Sequence, residues 1–300
     1  MTYLERVKMA LHYLVPQLPL TRTAGWFAQK QWGALTHGVI KLFAWHYNIN
    51  WQEAEKANPR DYASFNDFFI RKLKADARPI DSRDVAVFPA DGRISELGTI
   101  ERGQLLQAKG HFFSLSDLLA GDESLIPHFE QGQFATVYLS PRDYHRVHMP
   151  VSGTLRKMTY VPGELFSVNP FLSENIPNLF ARNERVICYF DTDWGPMVQI
   201  LVGATITASI STTWAGVINP PRTGQLQSWT YPAEGESAVR LEKGQEMGAF
   251  RLGSTVITLF AQDAVALLPH LTAGRAVQMG QAMSEARTDN STTNHKKDTL

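Results

Sequence analysis

The chain has 300 residues and balances 29 Lys and Arg against 29 Asp and Glu, so no net charge draws it toward nucleic acid. One cysteine, Cys188, excludes an internal disulfide and a cysteine-built zinc site, and within Val-Ile-Cys-Tyr-Phe it reads as a buried strand residue rather than a nucleophile. Hydrophobic residues at 44% and charged residues at 19% suit a globular chain with a sizeable core, in one large domain or two small ones.

In chain order, residues 1–50 stand apart. Leu4, Val7, Leu11, Leu14 and Val15 keep helical spacing until Pro16, and a second apolar stretch carries Trp26, Phe27, Trp32, Leu35, Val39, Ile40, Leu42, Phe43 and Trp45. Arg6, Lys8, Arg22, Lys30 and Lys41 face a single acid, Glu5. Basic amphipathic helices with Trp anchors suit an anionic membrane surface, and they equally suit packing on the protein's own core. Glu5, Arg6 and Lys8 break any early secretory signal. No run reaches the roughly 20 apolar residues of a membrane span; the best, Val198 to Ile210, contains Gln199, Gly203, Thr205, Thr207 and Ser209.

Phe65, Phe68, Phe69 and Leu73 predict a helix that ends before Arg78-Pro79-Ile80-Asp81. From about residue 86, short β-rich runs alternate with Gly and Pro turns: 85–88, 134–139, 186–190, 198–206 and 256–260. The expected fold is α+β, a β-rich mixed or antiparallel body (51–280) behind N-terminal amphipathic helices (1–50). There is no βαβ rhythm, no Gly-rich dinucleotide loop and no P-loop. Residues 281–300 lack aromatic and β-branched aliphatic side chains and predict a disordered tail.

Four places could carry chemistry. Asp91 lies in Phe-Pro-Ala-Asp-Gly, a turn former on its own. Ser140 to Pro150 holds His145 and His148, three apart, which face opposite ways on a strand and share a side in a helical turn. Such a pair could also ligate a metal, although His-x-x-His without an adjacent Glu is weakly specific. The segments 160–169 and 178–185 offer apolar wall in Phe166 and polar anchors in Asn169, Asn183 and Arg185, a mix suited to an amphipathic substrate. In Arg-Leu-Gly-Ser-Thr-Val-Ile, Gly253 precedes Ser254 at the entry to a strand. Asp91, one of the two histidines and Ser254 are the residue types of a nucleophilic triad.

Leu-Gly-Ser-Thr at 252–255, Pro-Ala-Asp-Gly at 89–92 and Ser-Pro-Arg-Asp-Tyr-His-Arg-Val-His at 140–148 together resemble the phosphatidylserine decarboxylases of bacteria. The resemblance continues through 160–169, 178–185 and Gly-Gln-Glu-Met-Gly at 244–248, covering roughly residues 1–275. It implies a proenzyme that cuts itself between Gly253 and Ser254 into chains 1–253 and 254–300, held together as a heterodimer, with a dimer of such units as a further option. It assigns His148 as base and Asp91 as its orienter, and His145 to the decarboxylation step. Ser254 would become a covalent pyruvoyl group that forms a Schiff base with phosphatidylserine and yields phosphatidylethanolamine, with no metal required. The implied location is the cytoplasmic side of the cell membrane, as a peripheral protein. The rival readings are a metal-dependent hydrolase using His145, His148 and Asp91, and a non-enzymatic membrane-binding module.

Overall fold

A computed structural model describes residues 12–13, 15–108, 110–206, 209–219, 222–251 and 254–287. Most of the first predicted helix therefore lies outside the described residues. Two helices follow Pro16: α1 (Gln17–Ala28) and α2 (Ala34–His46). A short α3 (Phe65–Phe69) starts at a reciprocal capping box, in which Ser64 and Asp67 satisfy each other's backbone N–H. Leu73, expected on that helix, instead bridges to Ala54. Ala28, Ile40 and Ala44 pack with Tyr62, Phe65, Phe68 and Phe69 in one small core, so the N-terminal helices are built onto residues 51–69. Their outer side leaves Trp26, Trp32, Leu35, Leu42 and Trp45 exposed.

The body is antiparallel β-structure. Its strands are β1 (Gly92–Thr99), β2 (Gln104–Ala108), β3 (His111–Ser114), β4 (Gln133–Leu139), β5 (Arg146–His148), β6 (Gly153–Val161), β7 (Arg185–Thr192), β8 (Gly195–Val202), β9 (Ser209–Thr212), β10 (Gly216–Asn219), β11 (Gln227–Thr230), β12 (Arg240–Leu241), β13 (Glu246–Arg251), β14 (Ser254–Phe260) and β15 (Ala276–Val277). The large sheet runs β11-β6-β7-β8-β14-β4-β1-β15, with β12 also on β6; a small sheet runs β10-β9-β13-β5, and β2 pairs with β3. Every ladder between these strands is antiparallel, which sharpens the mixed-or-antiparallel expectation. The expected strands at 134–139, 186–190 and 256–260 are present. That at 198–206 stops at Val202, and 85–88 holds only one bridge, Val87 to Ala282.

Both faces of the large sheet are covered. Val137, Leu139, Cys188, Leu201, Val256 and Phe260 face the small sheet, where Val147, Met149, Ile210, Met247 and Phe250 meet them. Phe134, Ile187, Ile200, Ile257 and Leu259 face the helices α4 (Leu115–Leu118), α5 (Ile126–Phe129), α6 (Pro170–Ser173) and α7 (Leu179–Arg182). Two-sided burial explains why central strands read as unbroken apolar runs instead of alternating ones. Among the described residues no helix is long and apolar enough to cross a membrane.

The C-terminal boundary differs from the expectation. Residues 281–287 are packed rather than loose: Met283 N donates to Ala86 O at 2.8 Å, Ser284 Oγ accepts from Ala86 N at 2.9 Å, and Arg287 N donates to Asp84 O at 2.9 Å. Backbone pairing needs no aromatic or β-branched side chain, so composition could not reveal it. The rest of the expected tail, 288–300, lies outside the described residues. Met283 is fully buried, and Met283→Ala should cost about 2–5 kcal/mol. Urea unfolding checks this; a loss below about 0.5 kcal/mol, the scale of surface changes, would return 281–287 to a dispensable tail.

Candidate active site

The ladders bring the sequence-predicted residues to one end of the large sheet. Ser254, the first residue of β14, pairs with Leu139 at the end of β4, and Arg93 near the start of β1 pairs with Tyr138. Asp91, Ser140 and Ser254 thus converge. The approach is close: a Cβ on Gly92 would lie 2.2 Å from the Tyr138 carbonyl oxygen, so only glycine lets β1 begin there. Ser254 shares the face of Val256 and Phe260 that looks toward the small sheet. On that sheet His148 ends β5 and pairs with Glu246 on β13. Its N–H donates to Pro89 O at 2.8 Å, which docks the strand beside the Asp91 turn. Its carbonyl accepts a long 3.5 Å bond from Gln199 Nε2, while Gln199 Oε1 accepts from Thr258 Oγ1 at 2.9 Å, tying His148 to the strand that carries Ser254. Gly253 lies outside the described residues.

The two histidines have different neighbours. His145 precedes β5 and lies against Phe69, ring centroids 4.2 Å apart. His148 lies 5.6 Å from the Tyr144 ring. His145 Nε2 is 3.0 Å from the Ser140 carbonyl oxygen. A carbonyl can only accept, so Nε2 carries the proton and Nδ1 keeps its lone pair. Burial, with the Arg71 charge adding to it, pushes His145 down to about 3. Burial, and then the Arg146 charge, push His148 down to about 4. Nδ1 of each ring is buried without a hydrogen-bond partner, and so is Ser254 Oγ. The site thus holds two uncharged imidazoles and a free hydroxyl shut away from water.

The expected Ser-His-Asp relay is not closed by hydrogen bonds. Asp91 accepts from Arg78 Nε at 2.9 and 3.0 Å, from Arg78 Nη2 at 2.6 Å and from Met279 N at 2.9 Å. Arg78 also reaches Glu53 at 3.0 Å. Burial lowers the Arg78 pKa, but hydrogen bonds and charge from Asp91 and then Glu53 outweigh it and leave the guanidinium raised. No hydrogen bond joins Asp91 to His148; the link between them is the backbone bond at Pro89. Arg78, Tyr144 and Gln199 are contributors that the sequence reading passed over. In the sequence Arg78 marks only the end of a segment, and its pairing across 13 residues leaves no local signal.

Three of the four expected pocket residues serve the fold instead. Asn183 is fully buried: its Oδ1 accepts from Phe166 N at 3.1 Å, and its Nδ2 donates to Phe166 O at 2.8 Å and Gly203 O at 2.9 Å. Arg185 donates to the carbonyls of Leu118, Ala181, Asn183 and Asp117 at 2.5–3.0 Å. Burial with no carboxylate bonded to it pulls the Arg185 guanidinium down to about 10. Asn169 caps α6, accepting from Leu172 N at 2.9 Å. Polar side chains on loops looked free in the sequence because their acceptors are backbone atoms of distant segments. Phe166, expected as apolar pocket wall, is buried in the core on the helical side of the sheet, edge-on to Tyr13 and 4.7 Å from the Arg182 guanidinium.

A free hydroxyl and two neutral imidazoles at one end of a sheet equip an enzyme rather than a scaffold, and comparison with known proteins gives its class as a lyase. The chain belongs to the phosphatidylserine decarboxylase family, whose model matches residues 65–285; a second model, described as PSD, matches residues 7–48. It is 65% identical over 288 residues to the phosphatidylserine decarboxylase proenzyme of Pasteurella multocida (strain Pm70), covering 96% of this chain and 97% of the relative. To the proenzyme of Histophilus somni (strain 129Pt) it is 66% identical over 284 residues, covering 94% and 96%. To that of Actinobacillus pleuropneumoniae serotype 3 (strain JL03) it is 62% identical over 287 residues, covering 95% and 97%. Membership of this family supports the decarboxylase reading and neither the metal-dependent hydrolase nor the non-enzymatic module.

Buried neutral histidines make stability depend on pH in a definite direction. Below the ordinary value of 6.5 the unfolded chain binds protons that the folded chain refuses until about pH 4 for His148 and about 3 for His145. Their contribution is complete above about pH 6.5 and is lost as pH falls through that window. Unfolding free energy measured in urea from pH 7 to 4 should therefore fall, and His145→Gln with His148→Gln should flatten the slope. An unchanged slope in the double variant would mean that neither ring is held neutral.

Proposed function

We propose that this chain is made as a proenzyme, cuts itself between Gly253 and Ser254, and then converts phosphatidylserine to phosphatidylethanolamine. The observation that carries the reading is Ser254 Oγ, buried and without a hydrogen-bond partner at the first position of a central strand. A hydroxyl held by nothing is free to attack the preceding carbonyl. Neutral His148, in the neighbouring sheet, is the base that takes its proton. Asp91 acts at one remove: locked by Arg78 and the Met279 N–H, it fixes the turn whose Pro89 carbonyl holds the His148 backbone.

The residue at 254 also suits a pyruvoyl group. Its place is inaccessible to solvent, and no hydrogen bond to Oγ is lost when that oxygen leaves. Once formed, the group supplies an electron sink for the carboxyl carbon's bonding pair. The chain's own part is to keep water out, orient the amino acid headgroup and manage protons. His145 has its lone pair at Nδ1, so it receives a proton there before it can donate one to Cα. Chains 1–253 and 254–300 stay together because β14 pairs on one side with β4 and on the other with β8, and β15 pairs with β1.

Contact with the lipid surface falls to the N-terminal region. Trp26 and Trp45 are 55% and 76% exposed, and Lys30 Nζ lies 4.5 Å over the Trp26 ring. Large exposed aromatics beside cations suit the interface of an anionic bilayer, and we place the protein there as a peripheral component of the cytoplasmic face.

Denaturing mass spectrometry should find two chains split between Gly253 and Ser254, the smaller blocked at its N-terminus, and Ser254→Ala should stay whole and inactive. His148→Ala should block the cut, whereas His145→Ala should be cut yet lose about 10²–10⁴-fold in decarboxylation. A single intact chain in active wild-type material, or equal cleavage defects in both histidine variants, would overturn this division of labour. Separately, Trp26→Ala with Trp45→Ala should weaken sedimentation with anionic liposomes, and added salt should weaken it further because exposed charges are screened within about 8 Å at physiological ionic strength. Binding indifferent to both changes would leave α1 and α2 as core-packing helices only.

A further inference from the structure

Among the described residues, Arg71 is a buried cation near the site that the mechanism above leaves unused. It follows α3, just past the C-cap residue Ile70, and it is 5% exposed. Its guanidinium lies 5.5 Å over the Phe68 ring, and the neighbouring Phe69 packs on His145. Nη2 donates to the Arg142 carbonyl at 2.9 Å and, at 3.4 Å, to that of Asp143. Nε and Nη1 are buried and have no acceptor. The three carboxylates whose charges act on it are bonded elsewhere: Asp91 and Glu53 to Arg78, and Asp143 to the Ser140 N–H and hydroxyl, both at 2.7 Å. Burying a guanidinium with two empty donors is costly, and a native structure that tolerates it calls for a reason. Arg71 also borders a cavity of about 310 Å³ shared with Asp91, Ser140, Arg142 and Tyr144. Ser140 is the residue after the partner of Ser254, and its carbonyl holds His145. Arg71 therefore borders a cavity walled by residues that organise the reaction centre, and a second of about 320 Å³ on the side of Tyr62 and Arg146.

We propose that Arg71 seats the phosphodiester of the phospholipid headgroup, offering it the N–H groups that have no acceptor in the protein, while the headgroup occupies the cavity shared with Asp91 and Ser140. The assignment rests on the decarboxylase reading above. Of the two anions a phosphatidylserine headgroup carries, the carboxylate gives up its charge as carbon dioxide leaves. A guanidinium on it would bind the starting state more tightly than the transition state and slow the reaction. The phosphodiester keeps its charge throughout, so an arginine there holds substrate without a penalty in the chemical step. A charged N–H donor to a phosphate oxygen is also a stronger bond than one between neutral groups.

The test uses the mature enzyme and soluble dihexanoyl phosphatidylserine. Arg71→Gln should be cut like wild type, raise KM about 10- to 100-fold and leave kcat within about threefold. Inhibition of wild type by glycerophosphoserine should weaken by the same factor, whereas free serine and inorganic phosphate should not distinguish the two proteins. An unchanged KM, or a loss confined to kcat, would overturn the proposal. So would serine inhibition that falls in step, which would place the carboxylate on Arg71, or an Arg71-dependent effect of inorganic phosphate alone. Should Arg71→Gln fail to fold or to be cut, crystals of the wild type soaked with glycerophosphoserine decide. A phosphate oxygen within hydrogen-bond distance of Arg71 Nε or Nη1 supports the assignment, and a phosphate placed elsewhere defeats it. If wild type does not decarboxylate the lipid at all, the parent reading fails, while calorimetry of glycerophosphoserine on wild type and Arg71→Gln still reports on the anion site.

Discussion

The structure depends on the pairing of β14 on both its edges. From Ser254 to Phe260 each residue is buried, with β4 on one side and β8 on the other. That ladder fixes where Ser254 sits, because its partner Leu139 is the last residue of β4. It also fixes what surrounds Ser254, because the residues after Leu139 turn back through Ser140 and His145 into β5. Cover on both faces of the sheet removes water from the same place, and loss of water is what holds both imidazoles neutral. Position and protonation state thus have a common origin in one strand buried between two neighbours.

Local patterns carried much of this. The β-branched run after Gly253 announced β14, the apolar run at 186–190 announced β7, and the aromatic spacing at 65–69 announced α3. The α+β, β-rich character followed from short runs broken by Gly and Pro. Pairings distant in sequence stayed hidden, because a ladder partner leaves no mark on either strand alone. Ser284 and Ala86 are 198 residues apart, and only their hydrogen bond shows that the segment after 280 belongs to the body.

For the site, residue types were legible and their relations were not. Asp91 and His148 looked like neighbours in a relay, yet Arg78 occupies the carboxylate. Asn183 and Arg185 looked like hands held out to a ligand, yet backbone carbonyls fill them. Polar residues in a loop-rich stretch read alike whether they will meet a substrate or the chain's own amides. The difference lies in burial, which three-dimensional packing decides. Arg71 is the converse case: nothing in Phe-Ile-Arg-Lys distinguishes it from a surface cation, and only its burial and its two empty donors single it out.

The central place of β14 has a consequence for the history of the molecule. While the chain is continuous, β14 finds its slot as part of one connected search, guided by β13 just ahead of it. Once the link is severed as proposed, the same strand belongs to a separate short chain with no sheet of its own. Reassembly after unfolding then becomes an encounter between two molecules, slower in dilute solution and open to wrong partners for the exposed edges of β4 and β8. Mature enzyme that comes apart has no direct way home. Its persistence is set by how slowly it opens rather than by the balance between folded and unfolded forms.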